Sequence, residues 1–170
     1  MTPHLRKLAL TAHVTASVGW LGATACFLGL SVVGLASDDE EKVRAAYVAM
    51  DSVGWFVLVP LAFASLLTGV IQSLGTHWGL FRHYWVLFKL AINIFATIVL
   101  LLYMQTLASQ TDLAANPRTE IDVVRDASSA VHAGAALLLL LVATGLGVYK
   151  PRGMTRYGRR KHAKERAAPG

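Results

Sequence analysis

Residues 76–104 read THWGLFRHYWVLFKLAINIFATIVLLLYM. A short basic and aromatic turn, Arg82-His83-Tyr84-Trp85, leads into an apolar run long enough to cross a bilayer, which takes about 20 residues. Lys89 and Asn93 stand four residues apart inside that run and so share one helix face. A lysine within an apolar segment is costly in lipid. The face that carries it is therefore expected to turn toward other helices or reach the interface by snorkelling. Arg82, His83, Trp78 and Trp85 have the composition of an interfacial belt, which combines aromatic rings with positive charge.

Working outward, the same apolar character recurs. The 170-residue chain is 55% hydrophobic and only 15% charged, against about 25% charged in an average soluble domain. Four apolar blocks, near 8–36, 44–74, 85–108 and 127–149, each have the length of a span. The runs are continuous and do not alternate, which excludes an outer-membrane barrel. The expected fold is all-α, a four-helix transmembrane bundle in which short loops make helices one and two, and two and three, antiparallel neighbours.

Charge is distributed unevenly. Residues 150–170 carry eight Lys/Arg and one Glu, whereas residues 1–149 carry eight Lys/Arg and nine Asp/Glu. The N-terminus, the 76–85 turn and the tail are basic, and the loops near 37–44 and 109–126 are acidic or balanced. Positive-inside topology then puts both termini in the cytoplasm, in the inner (plasma) membrane. The tail, 151–170, is expected to be disordered or to lie on the membrane, with anionic lipid headgroups and not nucleic acid as its partner. VGLAS at 33–37 resembles a signal-peptide cleavage site. The preceding apolar run nevertheless far exceeds a signal h-region of about 7–15 residues, so an uncleaved first helix is expected.

Within the spans, Ala12, Ala16, Gly19, Ala23 and Cys26 form a stripe of small residues suited to close packing. His13, Ser17, Trp20, Thr24 and Phe27 form the neighbouring stripe. Cys26 is the single cysteine, which leaves no disulfide and no cysteine-based metal spacing. Pro60 predicts a kink in the second span. Asp51, Trp55, Ala62, Ser65, Gly69 and Gln72 share a face there that should point inward, with Asp51 pairing with a loop base. The third helix should end near Leu107, before a turn at Asn116-Pro117.

At about 1.5 Å of rise per residue, His13, Gln72 and Lys89 fall roughly 12–14 Å to the cytoplasmic side of the midplane, with Asn93 nearer the middle. Tyr103 and His132 fall roughly 9 Å to the other side. His13 and His132 thus differ by about 20 Å in depth and cannot ligate one haem together, though each could serve as a lone axial ligand.

The pattern in helix one, His13 followed seven residues later by Trp20-Leu21-Gly22, joined to Trp85 and Lys89 and the helix ending Tyr103-Met104, resembles a family of small four-helix bacterial integral membrane proteins of actinobacterial type. It is more distantly similar to the membrane domains of CopD copper-resistance proteins and HemJ-type protoporphyrinogen oxidases. Those relatives often carry a histidine where this chain has Tyr103-Met104. The resemblance implies a functional histidine at His13 and lysine at Lys89. Two classes of function follow. One is a non-catalytic membrane component or accessory subunit, self-associating or bound to a partner subunit. The other is a redox-linked protein holding a b-type haem or a metal, with His13 or His132 as ligand and Lys89 or Arg82 pairing with propionates. A small membrane enzyme or transport partner is a third reading.

Overall fold

A computed structural model describes residues 1–76 and 79–167, so Trp78 lies outside the described residues. The structure is an all-α bundle. Helix α1 spans Pro3–Ala36, α2 Glu40–Val53, α3 Val59–Leu74, α4 Tyr84–Ala115, α5 Ile121–Val124, α6 Ser128–Tyr149 and α7 Arg156–Ala167. A π-helical turn, Gly54–Leu58, joins α2 to α3 into one continuous rod. Four units are long and apolar enough to cross a membrane: Pro3–Ala36, Glu40–Leu74, Tyr84–Ala115 and Ile121–Tyr149. The outer surface agrees, since large side chains such as Phe56 (82% exposed) project from it with nothing packed on them. In the bundle α1 packs on α2, α3 and α6, and α4 packs on α2, α3 and α6, so the consecutive spans are neighbours as the short loops require.

Helix boundaries follow local chemistry. Helix α1 starts at Pro3, earlier than the apolar block, because the Thr2 hydroxyl accepts a bond from the Leu5 amide at 3.4 Å and proline needs no partner at that position. Helix α4 continues past Leu107 to Ala115. Leu107, Gln110 and Ala114, at helical spacing, are all buried. Asn116 then ends it, with its side chain accepting from the Arg118 amide at 3.0 Å.

The π-turn is where Pro60 acts. Proline cannot donate to the carbonyl four residues back and its ring crowds that carbonyl, so the preceding turn widens. The extra residue shifts the register of the second span. Gly54 and Leu58 face the core, Trp55 is half exposed, and Ala62 and Ser65 resume the buried face. The uninterrupted inward face expected from Asp51 to Gln72 is therefore broken, and Asp51 forms no ion pair among the described residues. In α1 the buried stripe is Ala16, Trp20, Thr24, Phe27 and Ser31. The aromatic and hydroxyl stripe carries most of the burial; of the small stripe Ala16, Gly19 and Ala23 pack on the bundle, whereas Ala12 and Cys26 are exposed. Large side chains fill the space between helices, and the Thr24 and Ser31 hydroxyls fold back onto the carbonyls of Trp20 and Phe27, so burial costs them no unpaired polar atom.

The two ends of the bundle differ. At the end holding the 37–39 and 116–127 connections, Val43, Tyr47, Met50, Met104, Leu107 and Val124 are almost completely buried. Gly54 allows α2 and α4 to approach there, since a Cβ on it would meet Met104 at 2.7 Å. Arg125 donates to the carbonyls of Leu35 (2.7 Å) and Ser37 (2.8 Å), closing the C-terminus of α1. Arg44 does the same for α4 through the carbonyls of Ala114, Asn116 and Thr119. Asp126 gathers the loop: its carboxylate accepts from the Ser128 amide, the Ser128 hydroxyl and the Gln110 side chain, and its amide donates to the Tyr47 hydroxyl at 2.8 Å.

At the opposite end the tail forms a helix, so of the two expectations for it, disorder is the one the structure overturns. Thr155 is buried and donates to the Phe81 carbonyl at 2.6 Å, its amide donates to the Arg82 carbonyl at 3.0 Å, and its hydroxyl accepts from the Gly158 amide at 3.0 Å. It thus caps α7 and ties it to the 81–84 turn. Gly158 lies so close to Arg82 that a Cβ would clash with the Arg82 carbonyl oxygen at 2.3 Å. Gly158→Ala should therefore release α7, seen as faster tryptic cleavage within 156–167 at unchanged total helicity of the spans.

The exposed N-cap of α2, Asp39, accepts from the Glu41 and Lys42 amides. The Lys42 side chain beside it, followed by the Lys42 amide, holds its carboxyl below the ordinary aspartate value. A depressed folded-state value stabilises above the unfolded-state value and is lost as pH falls through the folded one. Asp39→Ala should lower the unfolding temperature in detergent at neutral pH, and the difference from wild type should disappear on acidification below the usual aspartate range.

Candidate functional site

The end that α7 adjoins is not filled. A cavity of about 420 Å³ lies between α1, α3, α4 and α6, within the roughly 300–1,000 Å³ range of small-molecule sites. His13 and Ser17 reach it from α1, Ser65 and Gln72 from α3, Lys89 and Asn93 from α4, and Thr144 from α6. The layer expected from depth alone, His13 with Gln72 and Lys89, is thus assembled around one space, and α6 completes it.

Hydrogen-bond directions along the wall can be worked out. The single hydroxyl hydrogen of Thr68 goes to the Ala64 carbonyl at 2.6 Å, so the 3.2 Å contact between Thr68 and His13 has the Nδ1–H of His13 donating. In the neutral ring this leaves the lone pair on Nε2. Gly69 makes room for the ring, as a Cβ there would lie 3.0 Å from His13 Cε1. Beside it Ser17 and Ser65 are 2.9 Å apart and Ser65 donates to Asn93 Oδ1 at 3.4 Å, which orders the chain as Ser17 to Ser65 to Asn93. Asn93 is held in turn by donating to the Lys89 carbonyl at 2.9 Å. The polar wall is therefore fixed before any ligand arrives.

Lys89 stands apart from this order. It is half buried, and its ammonium makes no hydrogen bond or ion pair among the described residues. It points across the cavity to α6, where Gly147 lies so close that a Cβ would be 2.8 Å from Nζ. The thinning of α6 by glycine, visible in the sequence at Gly145 and Gly147, thus has a purpose at Gly147 only; a Cβ on Gly145 would meet nothing within 4 Å.

The other two residues singled out from the sequence lie elsewhere. Arg82 sits in the turn that holds Thr155, outside the cavity lining, with its own contacts there. His132 is exposed, at the packed end. Its Nδ1 donates to the Ser128 carbonyl at 2.7 Å and its ring stacks on Tyr103 at 4.4 Å between centroids and 25° between planes. The stacking agrees with the shared depth of Tyr103 and His132, and the separation from His13 agrees with their depth difference. Thr68, Ser65 and Thr144 were not singled out as a set, although Ser65 and Thr68, three residues apart on α3, form a helix-face spacing that points at them. Among the described residues no three His, Cys, Asp or Glu side chains converge on a point that could hold a metal ion.

An uncompensated cation in this position opposes folding. Lys89→Met, of similar length, should raise stability by on the order of 1 kcal/mol, measured by thermal unfolding in detergent; a loss of stability would mean that the ammonium holds the bundle together.

No family model, no curated protein and no solved structure matches this chain.

Proposed function

We propose that the protein is a non-catalytic, multi-pass component of the cell membrane that binds a small ligand in the cavity beside His13 and Lys89. The observation that carries this is the contrast between the ends of the bundle. At one end most polar groups are spent on closing helices; at the other a preformed polar wall and a lysine unpaired among the described residues face a cavity. A group built only to specify packing is normally satisfied by its neighbours. Lys89 has no such partner among the described residues, and a protein that keeps such a group at a cost in stability is using it. In this reading the cavity lies in the cytoplasmic half of the membrane, both termini are cytoplasmic, and the basic helix α7 rests against anionic headgroups.

One observation favours a second reading, a b-type haem. His13 presents a bare Nε2 while its Nδ1–H is held by Thr68, which is the arrangement that orients metal-ligating imidazoles. Among the described residues no other histidine lines the cavity. The residues therefore suit a haem with a single protein axial ligand, with Lys89 toward a propionate; Arg82 and His132 have no part in it. A bound haem would supply redox or ligand-binding chemistry at iron, and the chain would supply its orientation.

Both readings are tested on one sample. Native mass spectrometry of the protein released from mild detergent should show a retained small-molecule adduct, lost in Gly69→Leu, whose side chain fills the cavity beside His13 while circular dichroism stays unchanged. Absence of any adduct in the wild type overturns the binding role. A Soret band in the visible spectrum that disappears in His13→Ala and persists in His132→Ala selects the haem; no band, also after addition of hemin, removes it.

A further inference from the structure

We infer that the ligand is an anionic amphiphile, an acyl chain bearing an oxyanion head, which enters sideways from the lipid with its head against Lys89 and Lys150. The inference rests on the proposed binding role and names the class of ligand.

The shape of the opening comes first. Leu10, Val14 and Val18 of α1 and Val148 of α6 line the cavity and are also exposed on the outside of the bundle, Val18 by 63% and Val148 by 70%. The mouth is therefore an apolar gap between α1 and α6, facing hydrocarbon. A ligand that uses it brings an apolar part to the mouth and a polar part to the wall. The volume of about 420 Å³ suits a headgroup with the first methylenes of a chain, leaving the rest of the chain in the bilayer.

Charge gives the sign of the head. Lys89, Lys150 and His13 are the titratable groups of the lining, and no Asp or Glu is among the described residues that form it. Two ammonium groups over an array of Ser, Asn and Gln side chains offer charge-assisted donors to an oxyanion. Lys150 provides a separate observation. It ends α6 in the left-handed region, φ 43°, and is the only non-glycine residue with positive φ among the described residues. Glycine is the ordinary occupant of that position, because a side chain there costs energy. A lysine that bears the strain and lines the cavity marks a position kept for its side chain.

The test uses the full chain in nanodiscs of phosphatidylcholine. Trp85 lines the cavity and reports on it. Brominated phosphatidylglycerol or brominated oleate is titrated in, and the Trp85 signal is taken as the difference between wild type and Trp85→Phe. Saturable quenching by the anionic probes, absent with brominated phosphatidylcholine, is expected; the phosphatidylglycerol and oleate arms tell a phosphate from a carboxylate head. Lys89→Met should weaken binding by about tenfold or more, the worth of one charge-assisted bond. Lys150→Gly should weaken it while raising the unfolding temperature, an opposite movement that a purely structural lysine would not produce. Equal quenching by the zwitterionic lipid, or binding unchanged in both variants, overturns the inference. A neutral adduct in the mass spectrum overturns it and leaves the binding role standing, whereas absence of any adduct removes both.

Discussion

The structure depends on one constraint: within a bilayer, polar groups find no water and must be satisfied by the protein itself. The Asp126 carboxylate answers it most completely. It ties the Gln110 side chain of α4 to the start of α6, and the loop around it is anchored to the Tyr47 hydroxyl of α2. Arg44 and Arg125 then cover the carbonyls at which α4 and α1 end. With these ends closed, Tyr47, Met50, Met104 and Leu107 pack tightly, and Gln110 Oε1 and Arg125 Nε are the buried side-chain polar atoms left without a hydrogen-bond partner among the described residues.

That packing fixes one end of the bundle, and the freedom it leaves lies at the other. The π-turn forced by Pro60 rotates α3 relative to α2, so that Ser65, Thr68 and Gly69 face His13 and Asn93. The hydroxyls orient the imidazole and the amide, while Gly69 and Gly147 keep space open around His13 and Lys89. Dense core and open site are thus two results of the same helix register. The tail belongs to this second end, since Thr155 and Gly158 hold α7 against the turn that precedes α4.

The expectations that held were those resting on length and rise. Four spans, adjacent consecutive helices and the depth layer of His13, Gln72 and Lys89 all follow from counting residues along helices whose geometry is invariant. Those that failed depended on rotation about the helix axis. Ala12 and Cys26 at the two ends of the small stripe of α1, and Trp55 as an inward residue, were assigned by periodicity, and in lipid an apolar surface carries no mark of which side is inside. His132 shows the same limit: it stacks on Tyr103, as a shared level along the helices implies, yet its side faces outward.

The sequence by itself determined an all-α membrane chain, the number and order of its spans, and which polar residues share a level, because these are set by hydrophobic length and a fixed rise per residue. The tertiary structure alone decided that Asp126, Arg44 and Arg125 would close the packed end. It also decided that Thr155 would order the tail, and that Lys89 would be left facing a cavity opposite Gly147. Those outcomes depend on contacts between residues tens of positions apart and on a register shift at one proline, which no local pattern encodes.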